Sequence, residues 1–266
     1  IAADGHDGMD GAYRVGGGGS GGGIFIDTDE ISGSGRIRAN GGNRSVGTAA
    51  GGGGRIAVYY GTMNGLSISN IAAFGGTDTT GTRYGSPGTV YLKSDAGDEK
   101  LWVRSEPGRT AGRYTPFGMS NETALTVQEL LVAGSNVVAV PNAPGCVIQA
   151  GAIRVIEGGN LSHRHTTPAQ EYALELEVTG SVYVDSLSSI DASKCGYIDF
   201  FTIGNTTRGG ATSESGGSYG GLGYSVYHPG WDIPVTTGEA NAVYGIAPNP
   251  VNLVSVPAVR RATAAD

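Results

Sequence analysis

The chain has 266 residues, of which 48 are glycine, and its formal net charge is −7. Glycine is more than twice as frequent as the ~7% typical of soluble proteins, and the charged residues of both signs are scattered along the chain. This pattern argues against nucleic acid and anionic membranes as partners, because both favour a basic patch, and no apolar run approaches the ~20 residues that cross a bilayer.

Three copies of the triplet Ile-x-Ala are each followed within four residues by glycine. They are Ile37-Arg38-Ala39, Ile71-Ala72-Ala73 and Ile190-Asp191-Ala192, and residues 153–159 form a degenerate fourth copy. Alternation of apolar and polar residues is the pattern of a half-buried strand, and the glycine permits the φ > 0 turn that ends it. Each copy therefore predicts a short strand followed by a corner.

Further alternating runs predict additional strands, and no stretch keeps the i, i+3, i+4 apolar spacing of a helix. We therefore expect almost no α-helix. In chain order the additional runs are residues 24–26, 55–60, 66–68, 89–92, 101–103, 125–127, 130–132, 137–140, 172–178, 182–184 and 197–201.

These strands are expected to stack along the chain rather than to pair as hairpins. The Asn-Gly pairs at residues 40–41 and 64–65, which favour hairpin turns, lack matched strands on both sides. A repeat that is too short to bury its own apolar face must stack on its neighbours. The sequence thus predicts an all-β chain with about 20–25 residues per coil, and a β-sandwich is the alternative.

Glycine clusters at residues 16–23, 51–54 and 216–223 interrupt the strand pattern. They are consistent with flexible loops that bulge from the coil. They are equally consistent with extended segments that pack closely, because glycine lets backbones approach and hydrogen-bond. The sequence leaves both interpretations open.

Taken together, these motifs resemble the glycine-rich repeats of very large bacterial surface and secreted proteins. The resemblance is carried by residues 33–42, 51–60, 86–93 and 176–185 and by the cluster at 216–223. It implies a right-handed parallel β-helix in an adhesin-like or matrix-like polypeptide, and it implies no catalytic residues. We expect residues 1–245 to form one continuous domain of this kind, and residues 246–266 to be a C-terminal tail or the start of a further segment.

The sharpest acidic cluster lies near the beginning of the chain. Asp4, Asp7 and Asp10 place three carboxylates on a turn-prone backbone, and such hard oxygen ligands suit Ca²⁺. Their spacing matches neither an EF-hand loop nor the nonapeptide calcium repeat, so a solvated turn is the alternative. Ca²⁺ at these residues is the only cofactor that the sequence suggests.

Aromatic residues concentrate in the polar, glycine-rich region before residue 232. Aromatic rings stack on sugar faces or fill protein interfaces, which makes this region a candidate surface for a glycan or a protein partner. The alternative is that the rings cover loops of the coil. The residues are Tyr219, Tyr224, Tyr227 and Trp231.

No catalytic constellation emerges from the sequence. Asp185, Asp191 and Asp199 recur in one region of strands, but glycoside hydrolysis requires two carboxyl groups at a set separation, and their spacing does not impose one. Cys146 and Cys195 are too few for a disulfide framework. Whether they form a bond or stay as buried thiols is open.

The sequence predicts a non-catalytic structural or adhesive module of a bacterial extracellular or cell-surface protein. The module would act as a rigid scaffold or as a surface for a glycan or protein partner. One alternative is a self-assembling subunit of an extracellular filament or matrix, in which exposed strands pair with the next copy. The other is a polysaccharide-degrading β-helix enzyme, a lyase or a hydrolase.

Overall fold

The structure of the chain is a computed structural model. It describes residues 1–9, 16–44, 48–77, 84–201, 210–212, 215–219, 221–225 and 238–243. Across these residues the chain forms thirteen strands and one short 3-10 helix, so the expectation of almost no α-helix is confirmed for this part of the chain. No helix in the same ranges is long and apolar enough to cross a membrane.

Most of the strands overlap the alternating runs or the Ile-x-Ala triplets found in the sequence. The runs at 125–127 and 130–132 merge into one strand, whereas residues 66–68 lead into the 3-10 helix Ile68–Asn70 and residues 197–201 form no extended strand. The strands are β1 (Gly23–Ser32), β2 (Ile37–Arg38), β3 (Arg55–Asn64), β4 (Ile71–Ala72), β5 (Thr89–Ser94), β6 (Glu99–Arg104), β7 (Tyr114–Phe117), β8 (Ala124–Ala133), β9 (Val138–Pro141), β10 (Val147–Ile156), β11 (Asn160–Leu161), β12 (Glu175–Val184) and β13 (Ser189–Ile190).

The strands form three sheets. The largest has seven strands in the order β1-β3-β5-β6-β8-β10-β12, the second has four in the order β13-β11-β9-β7, and β2 pairs with β4 in the third. In the large sheet β1–β3, β3–β5, β6–β8 and β8–β10 are parallel pairs, and β5–β6 is antiparallel. A parallel-dominated sheet of this kind is usual in α/β proteins, although helix is almost absent from the described residues.

The predicted right-handed parallel β-helix is wrong, because a hairpin makes the large sheet mixed. After β5 the chain turns at Asp95 and Gly97, and Val90 then pairs with Trp102 in antiparallel register. Gly97 adopts a φ of 86°, and the Asp98 N–H donates to Ser94 Oγ at 3.1 Å. Strands before and after this turn therefore run in opposite directions.

Strand spacing also differs from the predicted uniform coil. In the first half, the parallel partners Gly23 and Arg55 are 32 residues apart, whereas Ala124 and Val147 in the second half are only 23 apart. The β-sandwich alternative fails as well, since it requires antiparallel sheets and nearly all pairs here are parallel. The hairpin was missed because its turn sequence, Ala96-Gly97-Asp98, is not one of the Asn-Gly or Asp-Gly pairs.

A hydrophobic core joins the first strands of the large sheet to the two-stranded sheet. Inward-facing residues of β3 and β5 pack against Ile37 of β2, Ile71 of β4 and the two alanines that follow these short strands, Ala39 and Ala73. All of them are less than 4% exposed. This packing fixes where the chain leaves β2 and β4, and so positions the glycine-rich segments that follow.

The chain divides into two compact units. The first consists of Ile1–Ser162 and Leu176–Asp191 and contains nearly all the strands; the second consists of His163–Glu175 and the described residues from Ala192 onward. The division of the chain at residue 245 stays a prediction, because residues 244–266 lie outside the described residues.

Candidate functional site

Six extended segments pack side by side in the first unit, and we call them the glycine bundle. None of their glycines adopts the left-handed region of φ. The segments lie outside the named strands, and all but the first directly precede or follow one. The first layer consists of residues 3–8, 39–44 and 73–77, and the second layer consists of residues 16–22, 49–54 and 84–88.

Hydrogen bonds between the two layers recur at every third residue. Gly16, Gly19 and Gly22 of the second layer donate their N–H groups to backbone carbonyls of residues 9, 6 and 3. A period of three is that of a polyproline II helix, which has three residues per turn and no hydrogen bonds of its own. The next segments repeat the pattern: Gly51 to Gly42, Gly54 to Ala39, Gly85 to Gly76 and Gly88 to Ala73.

The same period decides where a side chain fits. A Cβ on Gly51 would collide with the carbonyl of Gly19, lying 2.5 Å from its carbon, and one on Gly42 would lie 2.5 Å from the carbonyl carbon of His6. At Gly52 the nearest atom, Ser86 O, would be 3.7 Å away, an ordinary contact. Of the two interpretations of the glycine clusters, close packing is therefore the correct one for residues 16–22 and 51–54.

In the first layer the open position of each turn carries a polar or aromatic side chain. The Asn40 N–H donates to Asp4 Oδ1 at 2.9 Å, and the Phe74 N–H donates to Asn40 Oδ1 at 2.8 Å. Side chains thus connect each segment to the next and satisfy backbone donors that face outward. A second row repeats this three residues later, where the Asn43 N–H donates to Asp7 Oδ1 at 2.6 Å and the Thr77 N–H donates to Asn43 Oδ1 at 3.0 Å.

These two rows border a groove of about 510 Å³, which we call the polar groove. At the 3.1 Å rise of a polyproline II segment, positions three residues apart are about 9 Å apart, and Gly5, Gly41 and Gly75 lie between the rows. The groove is bordered by Asp4, Asn40, Phe74, Asp7, Asn43 and Thr77 from the rows, and by Arg36, Arg38, Glu106 and Arg109.

Two of the three carboxylates proposed for Ca²⁺ lie in the polar groove. Besides accepting the Asn40 N–H, Asp4 forms an ion pair with Arg38 at 2.9 Å, and Asp7 accepts the Asn43 N–H. Asp10 lies outside the described residues. Within those residues no group of three His, Cys, Asp or Glu side chains is arranged to hold a metal ion, and Ca²⁺ binding at Asp4, Asp7 and Asp10 stays a prediction.

The predicted aromatic surface falls in the second unit. Tyr224 is 81% exposed, whereas Tyr219 is half-buried and burial raises the pKa of its phenol. Tyr227 and Trp231 lie outside the described residues. Whether the four rings form one surface for a glycan or a partner therefore remains a prediction.

Asp185, one of the carboxylates weighed for catalysis, serves a turn. Hydrogen bonds from the Ser188 hydroxyl and from backbone N–H groups, including that of Glu157 at 2.7 Å, lower the pKa of its carboxyl group. Its second oxygen accepts the Leu187 N–H at 3.0 Å. These donors make Asp185 a cap for the turn that follows β12.

The two cysteines are buried free thiols rather than a disulfide. Burial raises the pKa of the Cys146 thiol, which disfavours the reactive thiolate. The structure thus decides between the two alternatives that the sequence had left open.

The large sheet carries an aromatic row that was not predicted from the sequence. The row consists of rings on neighbouring strands that pack in tilted pairs: Phe25 of β1 and Tyr59 of β3 have centroids 5.5 Å apart, and Tyr59 and Tyr91 of β5 have centroids 5.7 Å apart. Burial, followed by the nearby carboxylate of Glu99, raises the pKa of Tyr91 to about 12. The available signal was the spacing of these rings by 34 and 32 residues, close to the spacing of the paired strands.

A scan against protein-family models found no matching family, and searches of curated proteins and of solved structures found no match. The resemblance to glycine-rich bacterial surface repeats therefore rests on the sequence motifs alone.

Proposed function

We propose that the chain is a non-catalytic structural and adhesive module of a bacterial extracellular or cell-surface protein. It acts as a rigid body that presents a polar face. The observation that carries this proposal is the glycine bundle, in which hydrogen bonds join adjacent segments and neighbouring backbones leave no room for a Cβ at glycines of every segment, such as Gly18, Gly41 and Gly51.

Rigidity follows from the way the backbone groups of the bundle are used. Gly19 donates its N–H to His6 O at 2.8 Å and accepts the Gly42 N–H at 2.8 Å, so it is held from both sides. Gly51 is held in the same way between Gly42 and Gly76. Glycine is the most flexible residue in an unfolded chain, but here no segment moves without breaking hydrogen bonds to its neighbours.

The ionisable groups of the polar groove favour a binding role over a catalytic one. A catalytic acid or base must be placed so that it can exchange a proton with the substrate. In the groove, Asp4 pairs with Arg38 and Glu106 pairs with Arg109 at 2.6 Å, and Asp7 caps a backbone N–H. Such paired, partly exposed groups suit a polar surface that recognises a ligand without transforming it.

Amide hydrogen exchange tests the proposed rigidity directly. If the bundle is rigid, the N–H groups of Gly19, Gly42, Gly51 and Gly76 exchange only through global unfolding, and their opening free energies equal the unfolding free energy from urea denaturation. The exposed amide of Ala96 in the β5–β6 turn is the internal control and should exchange rapidly. Exchange of the glycine amides through local openings, with free energies far below that of global unfolding, would contradict a scaffold role.

A turnover assay separates this proposal from the enzymatic alternative. Neutral and uronic-acid polysaccharides are incubated with the protein, and the release of reducing ends or of unsaturated products is followed. We expect no release. Cleavage that disappears in Asp7→Asn would establish an enzyme instead, because this change keeps the acceptor for the Asn43 N–H and removes only the charge. Particles that grow with protein concentration would favour the filament alternative.

A further inference from the structure

The polar groove has features of a ligand-binding site beyond its role in joining segments. It extends across three neighbouring segments, and its bordering side chains recur in two rows. The floor between the rows consists of glycines whose Cβ positions point into the second layer, since a Cβ on Gly41 would collide with the Gly51 carbonyl. A ligand therefore meets backbone at the floor and side chains at both walls.

The formal charges that line the groove cancel. Three carboxylates, from Asp4, Asp7 and Glu106, face three guanidinium groups, from Arg36, Arg38 and Arg109. Two ion pairs, Arg38–Asp4 and Arg109–Glu106, already neutralise four of these groups. Because no excess of either sign remains, the groove favours an uncharged ligand over an anionic or cationic one.

Several polar groups in the groove keep unused hydrogen-bonding capacity. The Oδ1 atoms of Asn40 and Asn43 accept hydrogen bonds from the Phe74 and Thr77 N–H groups. Within the described part of the chain, the Nδ2 groups of the two asparagines have no partner. The Arg36 guanidinium likewise has no hydrogen-bond or ion-pair partner there. Amide and guanidinium donors next to carboxylate acceptors complement hydroxyl groups, which both donate and accept.

Phe74 supplies an apolar surface within this polar lining. The guanidinium of Arg104 lies 5.7 Å from the centre of its ring. Arg104 is itself fixed by hydrogen bonds to Ile71 O at 2.8 Å and Ile68 O at 3.2 Å. An aromatic ring beside convergent polar groups suits a sugar, because a sugar offers an apolar C–H face together with polar hydroxyl groups.

We propose that the polar groove binds an uncharged oligosaccharide. Hydroxyl groups of the sugar would bond to Asn40, Asn43 and Asp7, and its apolar C–H face would pack on Phe74. This inference deepens the proposed adhesive role and rests on it, since it names the class of ligand that the module would recognise.

The test is isothermal titration calorimetry with two uncharged probes, cellohexaose and mannohexaose, and one charged probe, hexagalacturonate. We expect at least one uncharged probe to bind and the charged probe to bind more weakly. In Phe74→Ala the affinity should fall at least tenfold, whereas Phe25→Ala, which removes a ring that is 70% exposed and does not line the groove, should leave it unchanged. Far-ultraviolet circular dichroism shows that each variant is folded.

Three results would overturn the inference. One is the absence of binding by both uncharged probes to the folded protein. Another is tighter binding of hexagalacturonate that is lost in Arg36→Gln, which would make the groove an anion site. The third is an equal loss of affinity in Phe25→Ala and Phe74→Ala. The amide-exchange test of the scaffold role uses no glycan, so failure of one proposal is distinguishable from failure of the other.

Discussion

Replacing Gly51 by alanine tests the packing of the glycine bundle at its centre. The new Cβ would overlap the Gly19 carbonyl oxygen and lie 2.5 Å from its carbon, whereas ordinary contacts begin at 3.4 Å, so the two segments must separate by at least about 1 Å. Overpacking of this kind costs about 1–3 kcal/mol. Movement of Gly19 also weakens its hydrogen bond to His6 or to Gly42, and a buried group left unsatisfied costs about 1–3 kcal/mol more.

The expected loss is thus about 2–6 kcal/mol, a large fraction of the 5–15 kcal/mol by which domains are stable. Gly52→Ala is the matched control, because its Cβ would meet no atom closer than 3.7 Å. Without a strained φ, this change should be neutral or stabilise by up to ~1 kcal/mol, since alanine restricts the unfolded chain. Urea denaturation followed by circular dichroism measures both.

The adjacent positions make the outcome decisive. If Gly51→Ala is as stable as the unsubstituted protein, or if Gly52→Ala loses as much stability as Gly51→Ala, the segments do not pack as described. A Gly51→Ala protein that fails to fold while Gly52→Ala folds normally agrees with the expected sign.

Three further predictions concern single side chains. Asn40→Ala removes the acceptor of the Phe74 N–H and should cost about 1–3 kcal/mol in urea denaturation, whereas Asn40→Asp, which keeps an oxygen there, should cost less. The pKa of Tyr91 rises from 10.0 to about 12 on folding. The contribution of the protonated phenol to stability is therefore complete below pH 10 and is lost as the pH rises toward 12. Between these pH values the urea midpoint of Tyr91→Phe should fall less than that of the unsubstituted protein, and equal falls would refute this. Cys146, buried and with a raised pKa, should react with a thiol reagent only after the protein unfolds, and rapid reaction of the folded protein would place it at the surface.

Local alternation in the sequence located most of the strands correctly. The runs at 55–60 and 89–92 lie within β3 and β5 because their alternate residues, such as Ile56 and Val90, have an apolar face to bury. Residues 66–68 alternate in the same way but form no strand, since Ser67 accepts the Ser69 N–H with its hydroxyl and begins a 3-10 turn. A short alternating run specifies a strand only when a partner strand and a core are available.

The candidate site was less accessible from the sequence than the strands. Asp4 and Asp7 stand out as an acidic cluster, but their main role, capping the N–H groups of Asn40 and Asn43, depends on a segment that follows 36 residues later. The recurrence of Ala-x-Gly at residues 3–5, 39–41 and 73–75 was the signal that links these segments. In a chain so rich in glycine, however, this triplet is also expected to recur by chance.

The sequence by itself determined that the chain is rich in strands and poor in helix, because period-two alternation and glycine are local properties of the backbone. Tertiary structure alone decided the reversal of strand direction after β5, the packing of the glycine clusters and the juxtaposition of the two rows in the polar groove. Each of these depends on which distant segment lies alongside. Glycine has no side chain whose size or polarity would predict its packing partner. The identical residues of the Gly51–Gly52 pair have opposite tolerance for a Cβ, because a Cβ on Gly51 would overlap the Gly19 backbone, whereas one on Gly52 would only touch Ser86 O.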